Sequence, residues 1–325
     1  MEDFNSQVDF AMFADRSQFE HNINLSEASV IECINAYIDV KIKANPNIRK
    51  QYSHTLLQLR NIESKWNVVL YPVVIGDLFW SNFQKHLLDK DFSTSTINSV
   101  SQKIACVLRW SAKYGAKISP TLEENQIQNT AKKPLISLSQ DDVSRITYFD
   151  IDSIPDLRQD RKDTLKKVRD QFVLACFLGQ RYSDTKRINP ECFHDSVFEI
   201  VQQKTGNRAV VDIKKIVAYP KVVQELLKKY NYSAPFPHDL SVYNKALHQL
   251  FYYAGFTDEI KYERKIRGKI ITNTYKVYEL ITSHTARRTM ITNCVQRGIH
   301  TEQIRRASGH QSETSFAKYV KWNDC

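Results

Sequence analysis

Apolar residues recur at three- and four-residue spacing through most of this chain, and only 8 glycines and 9 prolines interrupt its 325 residues. Helices must therefore supply most of the fold. From Ser26, a helix-capping residue followed by Glu27, the run Val30, Ile31, Ile34, Tyr37, Ile38 predicts a first helix. A second is expected over 49–66, with Tyr52, Leu56, Leu57, Leu59 and Ile62 on or near one face, and others over 75–88 and 96–114. Ahead of this helical bundle, residues 1–25 show little regular pattern and read as an N-terminal arm of unknown role.

Between Ile118 and Pro134 the helical pattern lapses into a polar stretch. This separates a helical domain, 26–128, from a second domain, 136–325, through a linker at 129–135. In the second domain Ser137 to Asp141 lead into a helix, and 165–178 read as a buried helix closed by Gly179. Two strand-like segments, 197–203 and 208–213, flank the turn-rich Lys204-Thr205-Gly206-Asn207 and predict a hairpin. Helices are expected at 220–230, with proline in the first turn, and at 242–254, ended by Gly255, with a second hairpin centred on Arg267-Gly268. The fold class is mainly α with small β hairpins.

Lys and Arg number 46 against 36 Asp and Glu, a formal net charge of +10 that favours a polyanionic partner, nucleic acid or an acidic membrane surface. No apolar run approaches the roughly 18 residues of a membrane-spanning helix. Asp and Glu lie within the first twenty residues, where a signal peptide would carry a positive flank and an apolar block, so a cytoplasmic protein is expected. The six cysteines are scattered without CxxC pairs and read as reduced thiols, several of them core residues. Neither a phosphate-binding GxxxxGK[ST] loop nor a carboxylate cluster for Mg²⁺ occurs, and no cofactor or metal is expected. In the helical domain Lys103, Arg109 and Lys113 read either as solvated surface or as phosphate contacts.

Chemistry concentrates in the second domain. His284 and Arg287 share a face at the start of a helix that runs to Arg297 and stops at Gly298, and a helix N-terminus suits a phosphate. A short helix, 301–308, leads to Gly309-His310, and Tyr319 follows nine residues later on a further helix with Phe316 and Val320. Singly these are ordinary: HxxR is a common pairing, and Tyr319 is one of 16 tyrosines. Their ordered combination is not.

With Phe177-Leu178-Gly179-Gln180-Arg181-Tyr182-Ser183-Asp184 and Gln203-Lys204-Thr205-Gly206-Asn207, these motifs resemble the tyrosine recombinase family, the phage integrases and Xer-type recombinases, and most closely integrases of Bacteroides-type mobile elements. The resemblance is strong over 136–321 and weaker over 26–128, which would be the family's SAM-like core-DNA-binding domain. It implies a site-specific recombinase that cuts and rejoins DNA. Arg181 and Arg287 would clamp the scissile phosphate, a role suited to the guanidinium fork. Lys204 would protonate the departing 5′ oxygen, with Arg208, Lys214 or Lys215 as alternative groove contacts. His284 would bond the phosphate or accept the tyrosine proton, His310 would donate a further hydrogen bond, and Tyr319 would be the nucleophile forming a 3′-phosphotyrosyl link.

For Asp184 two roles stand open, orienting Arg181 or capping its helix together with Ser183. The implied partners are double-stranded DNA with two recombination sites, further copies forming a tetramer on that DNA, and accessory DNA-bending proteins. A membrane is not among them. Residues 320–325 are too few for a long exchanged helix and leave only a small docking segment with Trp322. Ala307-Ser308 stands where many relatives carry leucine before Gly-His. Two alternatives share much of this pattern: a type IB topoisomerase, and a catalytically silent DNA-binding accessory protein.

Overall fold

The computed structural model describes residues 23–123, 134–266 and 269–320. Most of the expected arm, linker residues 129–133, the Arg267-Gly268 turn and the tail with Trp322 lie outside the described residues. The chain divides into two compact units, residues 1–130 and 131–325.

The first unit is built on α1 (Val30–Lys41), α2 (Ile48–Trp66), α3 (Asp77–Asp89) and α4 (Thr94–Ala112). Ser29, not Ser26, caps α1. Its hydroxyl accepts the Glu32 N–H while the Glu32 carboxylate accepts the Ser29 N–H, a reciprocal pair that needs an acid at the third helical position. Leu25, assigned to the arm by sequence, is buried, and its N–H donates to the Tyr114 carbonyl. The core gathers Ile34, Leu59, Trp80, Phe83, Val107 and Leu108, and the Trp80 indole N–H is satisfied by the Leu122 carbonyl at 3.0 Å. Leu57, placed near the inner face by sequence, is 52% exposed because Leu56 and Leu59 already fill the apolar stripe. Lys103 donates to the Gln51 carbonyl, and Arg109 pairs with Glu123 at 3.3 Å.

The second unit opens with α5 (Gln140–Thr147), capped reciprocally by Ser139 and Asp142, and α6 (Gln159–Leu178). Helix α6 begins six residues before the expected start, since its first two turns are charged and show no apolar face. Gly179 ends it at φ +68°, and a Cβ there would lie 2.9 Å from the Met290 side chain, so glycine also permits a close helix crossing. After α7 (Tyr182–Thr185) come β1 (Phe193–His194), β2 (Val197–Val201) and β3 (Arg208–Asp212), an antiparallel sheet in that order. Strand β1, two residues long, is too short to carry a periodic signal. The β2–β3 register pairs Val201 with Arg208 and leaves residues 202–207 as the connection.

Four helical elements follow around a second hairpin: α8 (Ile213–Ile216), α9 (Pro220–Lys229), α10 (Leu240–Tyr253), the paired strands β4 (Glu259–Ile266) and β5 (Lys269–Lys276), then α11 (Val277–Leu280). The chain continues through α12 (Ser283–Gln296), α13 (Thr301–Ser308) and α14 (Glu313–Val320). Helix α12 packs on α6, α13 on β3 and α14 on α12. Buried Leu174, Ile291, Ile304 and Phe316 carry those contacts into one core, which fixes the ends of α6, α12 and α13 and the β2–β3 turn relative to one another. Among the described residues no helix is long and apolar enough to cross a membrane.

Candidate active site

Arg181, Lys204, His284, His310 and Tyr319 line one cavity of about 730 Å³, together with Arg288, Thr292, Gln311 and the segment Leu135-Ile136-Ser137. Arg287 lies behind this wall. It is fully buried, its Nη1 donates to the Gly179 carbonyl at 3.0 Å, and its Nη2 lies 3.0 Å from His310 Nε2. Burial, followed by the charge of Arg181, lowers the Arg287 pKa to about 10, while Tyr319 and Asp184 act in the opposite direction. The two guanidinium groups expected to act together are thus electrostatic neighbours.

Tyr319 reaches the cavity from α14, whose Phe316 is 1% exposed and anchors the helix in the core. The Tyr319 hydroxyl lies 2.8 Å from His284 Nε2. Burial, then the surrounding cations Arg288, Arg287, Arg181 and Lys204, lower the His284 pKa to about 4, so the imidazole is neutral at physiological pH. His310 is lowered further, to about 3, by burial and by Arg287 and Arg181. Its tautomer follows from Ser308: the hydroxyl is 2.7 Å from the Ile304 carbonyl, its acceptor, and 2.8 Å from His310 Nδ1. Arg287 Nη2 is in reach of both ring nitrogens, 3.0 Å from Nε2 and 3.2 Å from Nδ1, and with the hydroxyl proton given to Ile304, Nδ1 carries the ring proton and the nearer Nε2 is the acceptor. Ser308 is fully buried and bonded to the histidine, a use for the serine that leucine could not serve.

These two histidines predict an acid-sensitive fold. Their folded pKa values lie below the ordinary 6.5, so between about 6.5 and 4 the unfolded chain binds protons that the folded one refuses. Thermal melts should lose stability as pH falls from 7 to 5, and the double substitution His284→Gln, His310→Gln should flatten that slope.

Asp184 follows neither of its expected roles. Its buried carboxylate accepts the Gln203 backbone N–H at 2.8 Å, no side chain caps α7, and Arg181 instead donates from Nη1 to Gln202 Oε1 at 2.6 Å. Gln202 was missed by motif reading. The signal was present, since strand alternation puts Phe198, Ile200 and Gln202 on one inward face, and a polar residue at an inward position needs a partner there. Motif reading gives no role to Arg288, the residue after Arg287. It lines the cavity, donates to the Ile136 carbonyl at 3.2 Å, and interacts electrostatically with Tyr319.

The fold that carries this site is shared with solved DNA integrases and site-specific recombinases, and the resemblance to tyrosine recombinases drawn from the motifs is borne out at the level of fold. Among these structures is a lambda integrase dimer bound to a COC′ core site: TM-score 0.65, 13% identity, 97% of this chain and 82% of that one covered. The XerH site-specific recombinase bound to a palindromic difH substrate gives a TM-score of 0.59 at 14% identity, covering 96% and 86% of the two chains. The Tn1549 transposon integrase in complex with a circular intermediate DNA gives 0.62 at 13% identity, covering 90% and 94%. No protein-family profile and no curated protein sequence matches the chain.

Proposed function

We propose that this chain is a site-specific DNA recombinase of the tyrosine class, cutting and rejoining DNA through a 3′-phosphotyrosyl bond to Tyr319. The observation that carries the reading is the Tyr319 hydroxyl held 2.8 Å from a neutral imidazole at the wall of a cavity lined by Arg181, Lys204 and His310. A free phenol, with a pKa near 10, is about 0.1% ionised at pH 7 and needs a base. His284 is unprotonated and in reach.

In the proposed step Tyr319 Oη attacks phosphorus, its proton passes to His284 Nε2, and the bond to the 5′ oxygen breaks as that oxygen takes a proton from Lys204. Arg181 and Arg287 stabilise the extra negative charge of the pentacoordinate phosphorus. The phosphate draws Arg287 Nη2 away from His310. His310 exchanges its ring proton through solvent, losing it from Nδ1 and gaining one at Nε2, so that Nδ1 accepts from the Ser308 hydroxyl and Nε2 donates to the phosphate. One phosphodiester replaces another of similar energy, so rejoining needs neither ATP nor a metal. We assign residues 26–128 to DNA grip, 136–325 to catalysis, and the working assembly to a tetramer on two DNA sites, a state for which the lambda integrase tetramer on a Holliday junction is the precedent.

The test is a nicked suicide substrate from which the cleaved 5′ end diffuses away. The wild-type protein should accumulate a covalent adduct on the 3′ phosphate. Salt-dependent binding with no adduct would defeat the proposal in favour of an accessory DNA-binding protein. Relaxation of a supercoiled plasmid without paired sites would point instead to a type IB topoisomerase.

A further inference from the structure

Resting on that reading, we propose that Gln202 is the positioning residue of the site: its carboxamide aims the Arg181 guanidinium and locks the Lys204 turn to the His310 turn before DNA arrives. Gln202 is fully buried and its amide meets four partners. Oε1 accepts from Arg181 Nη1 at 2.6 Å and from Thr205 Oγ1 at 3.2 Å. Nε2 donates to Gln180 Oε1 and to the Ser308 carbonyl, both at 2.9 Å. Hydrogen-bond logic fixes the amide's orientation, because an arginine can only donate and a carbonyl only accept.

The backbone of Gln202 is equally committed. Its N–H donates to the Asn207 carbonyl and its carbonyl accepts from Gly206, closing the turn that presents Lys204. Each partner extends the link. Gln180 Nε2 donates to the Leu178 and Ala307 carbonyls, and Asn207 Nδ2 donates to the Gly309 carbonyl. Gly309, at φ +68°, packs so closely that a Cβ would lie 2.6 Å from the Gln202 carboxamide. One amide therefore joins the three segments that carry Arg181, Lys204 and His310.

An amide serves here where a carboxylate would not. A neutral partner fixes the guanidinium while leaving its full charge for phosphate, whereas a carboxylate would neutralise it. Asp184, the nearby acid, is directed to the Gln203 N–H instead.

Gln202→Met keeps the length and apolar stem and removes both hydrogen-bonding ends. Gln202→Glu keeps the Arg181 contact, adds a charge, and turns the donor facing Gln180 and the Ser308 carbonyl into an acceptor. Both are measured in the full-length chain by thermal melting, by DNA affinity against salt, and by single-turnover adduct formation at saturating DNA, alone and combined with Arg181→Ala. Gln202→Met should slow adduct formation by about 10- to 100-fold, the size expected for a hydrogen bond to a charged group. That loss should largely vanish in the Arg181→Ala background. Gln202→Glu should flatten the salt dependence of binding by roughly one phosphate contact, a change that a packing defect would not produce. The positioning role is overturned if Gln202→Met cleaves at the wild-type rate, if its loss adds fully to that of Arg181→Ala, or if Gln202→Glu keeps the wild-type rate and salt slope. A wild-type protein that forms no adduct would instead sink the recombinase reading itself.

Discussion

Tyr319→Phe should bind DNA with an affinity within a factor of about two to three of wild type, the range of a substitution that disturbs no core contact, and form no covalent adduct at all. The ring of Tyr319 packs against the core beside Phe316 and stands 5.2 Å from the His310 ring, and phenylalanine keeps both contacts. What disappears is the hydroxyl bonded to His284. No other described tyrosine lines this cavity, so no second phenol stands there to replace it. Adduct formation on the suicide substrate, read by gel alongside a binding titration, separates the two effects. An adduct that survives in Tyr319→Phe would move the chemistry to another group and end the assignment of α14 as the nucleophile helix.

The sequence carried the helices that cap and pack by local rules. Ser139 with Asp142, Gly179, Gly255 and Gly309 each mark a helix boundary from a residue type whose backbone or side chain suits that position. The first β hairpin was equally legible, since Lys204 to Asn207 is a turn sequence between alternating segments. The cap of α1 was not. Ser26 and Ser29 both precede an acid, and only the Glu32 reciprocity decides between them. Site geometry was legible only as far as motifs reach. Five of the six candidate residues line the cavity, but the motifs could not tell that Arg287 sits behind it, or that an amide rather than Asp184 would hold Arg181. Both facts depend on which groups compete for a hydrogen bond across segments 20 to more than 100 residues apart.

That buried position of Arg287 separates stability from catalysis, and Arg287→Met should expose the separation. Lowering of its pKa from 12.5 to about 10 means that the fold disfavours the charged guanidinium, by roughly 3 kcal/mol. Substitution removes that penalty. Against this stand the lost hydrogen bonds to Gly179 and His310, and a Gly179 carbonyl left without this donor, at about 1–3 kcal/mol. The two opposing terms are of similar size. Melting temperature should therefore stay close to wild type or rise. Cleavage should fall by about 10³-fold or more, since arginines that stabilise a phosphoryl transition state contribute on that scale. Arg287→Lys would keep the charge but lose the fork, and should recover only part of the rate. Single-turnover cleavage beside a thermal melt decides the matter: a Met variant that cuts within tenfold of wild type would place Arg287 outside the chemistry, and one that unfolds would make the guanidinium a structural support.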